Sequence, residues 1–303
     1  MRVAGIDCGT NSLRLLVSDV TGDSKVDVHR EMRVVRRGQD VDRTGALAPE
    51  ALERTRLALL DYAVILRDLG VARTRMVATS ATRDASNTAE FTAMVTAVLG
   101  IAPEVVTGDE EAALSFDGAT RDLDPADGPF LVIDIGGGST EFVLGTHQVE
   151  AARSVDVGCV RLTERHLHSD PPTGAELAAA VADLDAGLAL VRELVPLEQA
   201  RTSVWLAGSA TTVAATALDL PAYDPGALHL ALLDAGSATD ACDRLIAMTR
   251  EQRSALAFMH PGRVDVIGAG ALVLRTLVDR LGTTELVISE ADILDGIVWS
   301  AAR

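Results

Sequence analysis

The sequence predicts an α/β protein built from two related halves, and three observations carry that prediction. Strand-like and helix-like segments alternate along the whole chain. The length of 303 residues fits two domains, at roughly 100–200 residues per domain. A string with hairpin character near the N-terminus is also matched by a second one near the middle of the chain.

The two strings are VAGIDCGTNSLRLLV from Val3 and FLVIDIGGGSTEFVL from Phe130, and they align without a gap. Ile6 falls on Ile133, Asp7 on Asp134, Gly9 on Gly136, Ser12 on Ser139 and Leu16 on Val143. Each copy reads as an apolar strand, an Asp, a short polar turn containing Gly, and a second strand. One glycine-rich hairpin is only a tight turn. Two copies, each opening one half of the chain, indicate duplication.

The other elements follow in order. A strand is predicted over 26–34, and Pro49–Leu69 reads as a long helix closed by Gly70. A strand over 75–79 comes next. Asn87 with Glu90 three residues later reads as a capping box for a helix that runs to Leu99 and stops at Gly100. A short strand at 103–106 and a helix at 108–119 complete the first half. Asp122–Pro129 has linker composition, which divides the chain into domains 1–123 and 124–303. In the second half, 173–194 is an Ala-rich helix, and a strand at 204–207 runs into Gly208-Ser209-Ala210-Thr211-Thr212 and a further helix. A helix at 265–281, a strand at 285–289 and a helix at 291–301 end the pattern.

Composition narrows the function. Hydrophobic residues make up 48% and charged residues 23%, the balance of a soluble globular protein. Aromatics are only 3%, which argues against stacking of nucleic-acid bases. A net charge of −17 leaves no basic footprint for nucleic acid or a membrane surface. A polyanionic substrate must then be held by a local cationic pocket or by metal ions. Lys25 is the only lysine, and no GxxxxGK[ST] string occurs, which excludes a Walker-type phosphate loop. Cys8, Cys159 and Cys242 are far apart and have no metal-ligand spacing, as expected in a reducing cytosol. No apolar run suits a signal peptide or a membrane helix, so a cytoplasmic location is expected.

Several strings carry possible chemistry. In the first tip, Gly9-Thr10-Asn11-Ser12, small residues let backbone N–H groups and hydroxyls surround phosphate oxygens. In the second, Gly136, Gly137 and Gly138 precede Ser139 and Thr140, and three glycines cost entropy that a close backbone contact would offset. Asp134 and Glu141 bracket that turn as hard oxygen ligands of the kind Mg²⁺ takes. Ser80 and Arg83, in Ala78-Thr79-Ser80-Ala81-Thr82-Arg83, fit phosphate contact, or equally a polar cap before the next helix. Asp109, Glu110 and Glu111 open a helix, where acids suit the dipole. Alternatively one glutamate is a general base, and helical phase does not choose between Glu110 and Glu111. Gly208 and Ser209 stand where helix N–H groups would meet another phosphate. Arg30, Arg33, Arg36, Arg37 and Arg43 are either a path for a polyanion or solvated strand ends.

Together these strings resemble a known family. The Asp-x-Gly-Thr-Asn-Ser opening at 7–12, ATSATRDA at 78–85, GDEEA at 108–112, DIGGGSTE at 134–141 and GSATT at 208–212 follow in the order seen in the exopolyphosphatase / guanosine pentaphosphate phosphohydrolase family. The stretch Arg263–Ala271 and the ending Asp292–Ile297 are similar to it as well. The resemblance covers nearly the whole chain. It implies a duplicated actin-like (ribonuclease H-like) fold whose two domains face each other across a cleft. It also implies Mg²⁺-dependent hydrolysis of a terminal phosphoanhydride of inorganic polyphosphate or guanosine pentaphosphate, with release of orthophosphate. The family's catalytic glutamate falls on Glu111, its phosphate-binding arginine on Arg83, and its acids on Asp134 and Glu141, with Asp7 as a further metal ligand facing Asp134. A homodimer, inhibition by guanosine tetraphosphate and a link to the stringent response are implied too, as is the alternative of a non-catalytic guanosine tetraphosphate sensor. Longer members carry further helical domains that grip long polymers. With none following here and a charge of −17, short polyphosphate chains are the expected substrates.

Overall fold

Alternating apolar residues at Ala4, Ile6 and Cys8 set the first strand on a core, and the rest of the first unit assembles around it. The computed structural model describes residues 1–303 and divides them into two compact units. The first comprises Met1–Gly118 together with Ile293–Arg303, and the second comprises Ala119–Asp292. In the first unit the chain forms β1 (Arg2–Cys8), β2 (Ser12–Thr21), β3 (Ser24–Val34), α1 (Val41–Thr44), α2 (Pro49–Asp68), β4 (Arg73–Ala78), α3 (Ser80–Arg83), α4 (Thr88–Leu99), β5 (Glu104–Val105) and α5 (Gly108–Thr120). The sheet order is β3-β2-β1-β4-β5, with β1, β2 and β3 antiparallel and β4 and β5 parallel to β1.

One face of this sheet carries Ala4, Ile6, Leu13 and Leu15 against Leu59 and Tyr62 of α2 and Phe91 of α4. Each large side chain so buried is worth about 1.5–3 kcal/mol. The Tyr62 hydroxyl is satisfied by the Leu13 carbonyl at 3.0 Å. Period two then turns Val3 and Gly5 to the opposite face.

The second unit forms β6 (Phe130–Ile135), β7 (Thr140–Gly145), β8 (Val149–Val155), α6 (Cys159–His166), α7 (Gly174–Arg192), β9 (Thr202–Leu206), α8 (Ala207–Ala217), α9 (Pro225–Leu228), β10 (Leu232–Asp234), α10 (Ala235–Ala247), α11 (Arg250–Ser254), α12 (Ile267–Leu281) and β11 (Glu285–Ile288). Its sheet order is β10-β11-β9-β6-β7-β8. Counted from β8 to β11 this repeats the order of the first sheet, with β10 added at the edge. This is the duplicated actin-like α/β architecture. A single large core of β6, β7, α7, α8, α10 and α12 holds it together.

The chain then returns to the first unit as α13 (Ile293–Ala301). Leu294, Val298 and Trp299 pack on Val3, Leu16 and Val20, the sheet face left open by α2 and α4. Gly5 permits the approach, since a Cβ there would lie 3.0 Å from methyls of both Ile297 and Val298. At Gly296 a Cβ would come within 2.0 Å of the Leu114 carbonyl oxygen, so α13 also lies directly on α5. The buried Asp295 carboxylate takes Lys25 at 2.8 Å and Arg30 at 2.7 Å. Burial alone would raise its pKa, but Arg30 and Lys25 outweigh that and hold it below the usual carboxylate range.

Two expectations are corrected, and one open alternative is closed. The division at 123/124 places 293–303 with the second half, whereas the apolar face of α13 completes the first sheet. Asn87 does not cap α4, because its amide group is spent on the backbone of Leu47, at 2.8 and 3.0 Å. The arginines of β3 and the loop beyond are not a continuous path for a polyanion. Arg30, Arg33 and Arg43 pair with Asp295, Glu31 and Asp40 respectively, and Arg37 is buried. α6 and α10 lie outside the predicted elements: α6 is short, and the start of α10 is marked chiefly by Asp234, which accepts the Ser237 amide. No helix is long and apolar enough to cross a membrane.

Candidate functional site

The first hairpin tip is closed by a hydrogen bond from the Gly9 amide to the Ser12 carbonyl, at 2.9 Å. The segment 35–38 holds it from one side. Val35 and Arg36 donate their amides to Asn11 O at 3.0 and 2.9 Å, and Gly38 donates to Thr10 O at 2.7 Å. The Arg37 guanidinium donates to Gly9 O and Cys8 O. Gly38 allows this close approach, since a Cβ there would sit 2.0 Å from the Thr10 methyl. In a trans peptide the carbonyl and the following N–H point in opposite directions. Fixing the Gly9 and Thr10 carbonyls on this segment therefore turns the Thr10 and Asn11 amides the other way.

The Thr10 hydroxyl meets the Ser80 hydroxyl at 2.9 Å, both buried, so the string at 78–84 is brought to the first tip. Three residues on, Arg83 at the end of α3 donates Nη1 to Glu111 Oε2 at 2.9 Å and to Val106 O at 3.0 Å. Glu111 is 8% exposed. Its neighbour Glu110 is exposed and caps α5, accepting the Thr107 amide at 2.9 Å. The first-turn acids thus divide their roles: Glu110 serves the helix end, and Glu111 is the buried carboxylate on an arginine.

Asp7 lies at the end of β1 directly opposite Arg14 on β2. Arg14 donates Nε and Nη2 to Asp7 Oδ2, at 2.8 and 2.6 Å, so the predicted metal ligand in this unit is ion-paired.

In the second unit the Gly136 amide closes the tip on the Ser139 carbonyl at 3.0 Å. The start of α6 takes the place of segment 35–38. Cys159 donates to Gly136 O at 3.0 Å, Val160 to Gly137 O at 2.9 Å, and Arg161 Nε to Gly138 O at 2.8 Å. Gly158 is the matching close approach, where a Cβ would fall 2.5 Å from the Gly137 carbonyl oxygen. The amides of Gly137, Gly138 and Ser139 are turned away from α6 by the same planarity.

Asp134 and Glu141 are register partners across β6 and β7, and are 7% and 1% exposed. Directly opposite residues of an antiparallel pair share a face. Ser154 Oγ donates to Glu141 Oε1 at 2.8 Å. Thr140, by contrast, turns its hydroxyl to Val157 O at 2.6 Å, into the body of the unit.

Gly208 and Ser209 lie in the first turn of α8, whose first residue, Ala207, has a positive φ of 64°. The Arg263 guanidinium lies over Gly208, where a Cβ would be 2.4 Å from Cζ, and Ser209 is covered by Gly270. Thiol chemistry is not available beside either tip. Burial pushes both Cys8 and Cys159 up to about 11, leaving them protonated near neutrality.

Sequence reasoning missed Arg14, Arg161 and Ser154, and it named Arg37 only as one member of a basic stretch. Arg14 was legible, since the gapless alignment of the two strings sets it on Glu141. A second repeat was legible too. Ala78-Thr79-Ser80-Ala81-Thr82 and Ala207-Gly208-Ser209-Ala210-Thr211 share four residues of five, and β4 lies beside β1 as β9 lies beside β6.

Comparison with known proteins agrees with this fold. Exopolyphosphatase 2 of Mycobacterium tuberculosis is 54% identical over 314 aligned positions, which cover 99% of this chain and 98% of that protein. The crystal structure of an exopolyphosphatase-like protein superposes with a TM-score of 0.95 at 41% identity, over 99% of this chain and 98% of that one. The Aquifex aeolicus PPX-GPPA enzyme gives a TM-score of 0.83 at 31% identity, over 99% of each chain. A family profile matches residues 16–303, from the middle of the first hairpin to the end, and by that match the chain belongs to the Ppx/GppA phosphatase family.

Proposed function

We propose that the chain is an exopolyphosphatase that removes the terminal phosphoryl group of inorganic polyphosphate, short chains in particular, and releases orthophosphate. The observation that carries the reading is Glu111, a buried carboxylate fixed by Arg83 at the start of α5 while its neighbour Glu110 does the capping. In the proposed step the oxygen of a water forms a bond to the terminal phosphorus as the bridging P–O bond breaks. Glu111 takes the water's proton, and the shortened polyphosphate leaves. The amides turned outward at the two tips hold phosphate oxygens, and Arg83 keeps the base aligned. Ser80 acts through its hydrogen bond to Thr10, and Gly208 and Ser209 give a further phosphate contact at the start of α8.

A divalent cation of the Mg²⁺ type suits Asp134 and Glu141, two buried oxygen ligands on one face of the hairpin. Mg²⁺ commonly takes one or two protein carboxylates and completes its shell with water and substrate phosphate. When bound it supplies offsetting charge for the phosphate oxygens. Asp7 instead has its Oδ2 committed to the Arg14 guanidinium. In the same reading the enzyme is a cytoplasmic homodimer inhibited by guanosine tetraphosphate. The three buried, unpaired cysteines accord with a reducing compartment.

The test is orthophosphate release with Mg²⁺ from short polyphosphate, long polyphosphate and guanosine pentaphosphate, with Glu111→Gln beside the wild type. Release from polyphosphate should fall ~10²–10⁴-fold in the variant, the usual worth of a positioned base, while substrate still binds. Preference for guanosine pentaphosphate would reassign the substrate. Release from none of the three would overturn the hydrolase reading.

A further inference from the structure

We infer that Arg37 is a positioning residue for the first tip, a buried charge that is balanced when an anion binds there. The inference rests on the reading of that tip as a phosphate site. Arg37 is 0% exposed. Its Nε and Nη2 donate to Gly9 O at 3.3 and 3.2 Å, and Nη2 also donates to Cys8 O. The Phe91 ring closes the other side, 5.1 Å from the guanidinium carbon. No carboxylate pairs with this guanidinium, and its Nη1 is buried without a hydrogen-bond partner.

A second buried arginine shows what a purely structural arrangement looks like. Arg253 directs Nε, Nη1 and Nη2 at the carbonyls of Leu245, Val264 and Ile246, so all three nitrogens are used and the end of α10 is capped. Arg37 leaves one nitrogen over, and it lies on two peptide groups of the tip.

The position has a direct electrostatic consequence. A cation at the carbonyl end of a peptide polarises it and strengthens the N–H at the other end as a donor. The amides of Gly9 and Thr10 are those N–H ends: the first closes the tip on the Ser12 carbonyl, and the second is turned outward. An unpaired buried cation is costly, so the free protein carries a penalty that a bound phosphate relieves. Arg37 touches no substrate in this scheme. It acts through the tip.

The experiment measures binding of inorganic phosphate by calorimetry and by thermal shift, without turnover, for the wild type, Arg37→Gln and Arg37→Lys. Gln keeps a donor for Gly9 O and loses the charge, whereas Lys keeps the charge and loses the fork. The expected result is about tenfold weaker phosphate binding in Arg37→Gln, about threefold or less in Arg37→Lys, and no loss of melting temperature in phosphate-free Arg37→Gln. A purely structural arginine gives the reverse: a lower melting temperature with phosphate affinity unchanged, and that result overturns the inference. If Arg37→Gln does not fold, Arg37→Lys decides, and a tenfold loss in that folded, charged variant also overturns it. A wild type that binds no phosphate sinks the phosphate reading of the tip itself, an outcome distinct from equal binding by wild type and variants.

Discussion

The two hairpin tips share a backbone and differ in charge. Each closes with the same hydrogen bond, Gly9 to Ser12 at 2.9 Å and Gly136 to Ser139 at 3.0 Å, and each has its carbonyls gripped by a neighbouring segment that includes an arginine. The residue opposite the aspartate is Arg14 in one and Glu141 in the other. The first pair therefore sums to zero and the second to two negative charges when both acids are ionised. A duplicated scaffold kept its peptide geometry, and one cross-strand position separated a tip whose aspartate faces an arginine from one whose aspartate faces a second carboxylate.

The largest effect expected from breaking this difference is at Glu141. Glu141→Gln preserves shape and removes one of the two charges, so phosphate release should fall about 10²-fold or more with a raised Mg²⁺ requirement. A Mg²⁺ titration of the rate checks it, and an unchanged requirement would put the metal elsewhere. Arg14→Leu should act on stability. It leaves the buried Asp7 without the guanidinium on its Oδ2, at a cost of about 3 kcal/mol in urea unfolding. The double variant Asp7→Asn, Arg14→Leu should recover part of that loss, and additive costs would show that the pair is not coupled.

Smaller effects are expected at the gripping glycines, and they should rank. Gly158→Ala drives a methyl against the Gly137 carbonyl, which is backbone, and should cost about 2–3 kcal/mol. Gly38→Ala meets first the Thr10 methyl, which is able to rotate at the expense of the Thr10–Ser80 hydrogen bond, so about 1 kcal/mol is expected. Parallel urea titrations decide. The opposite ranking would mean that the first tip is the stiffer of the two.

Much of this was legible in the sequence because a repeat is a long-range signal written locally. The alignment of Asp7 with Asp134 and Gly9 with Gly136 announced two hairpins, and both form with the same closing bond. Helix ends marked by Gly70 and Gly100 in left-handed conformation also follow from local chemistry. What stayed hidden depends on partners distant in the chain. Glu110 and Glu111 look alike until Arg83 and Thr107 are in place. Asn87 reads as a cap until the loop at Leu47 claims it. Arg37 reads as one more arginine in a basic stretch until it is found beneath a tip.

The return of α13 to the first unit has a consequence for how the molecule is made. The first sheet has one face covered by α2 and α4, encoded early, while its other face waits for Leu294, Val298 and Trp299. During synthesis from the N-terminus the first unit emerges first, yet its second core cannot form until the whole of the second unit has been translated. The second unit, continuous from 119 to 292, is free to fold before that. The half made first is therefore the half finished last, with the Lys25–Asp295 bond as its closing latch.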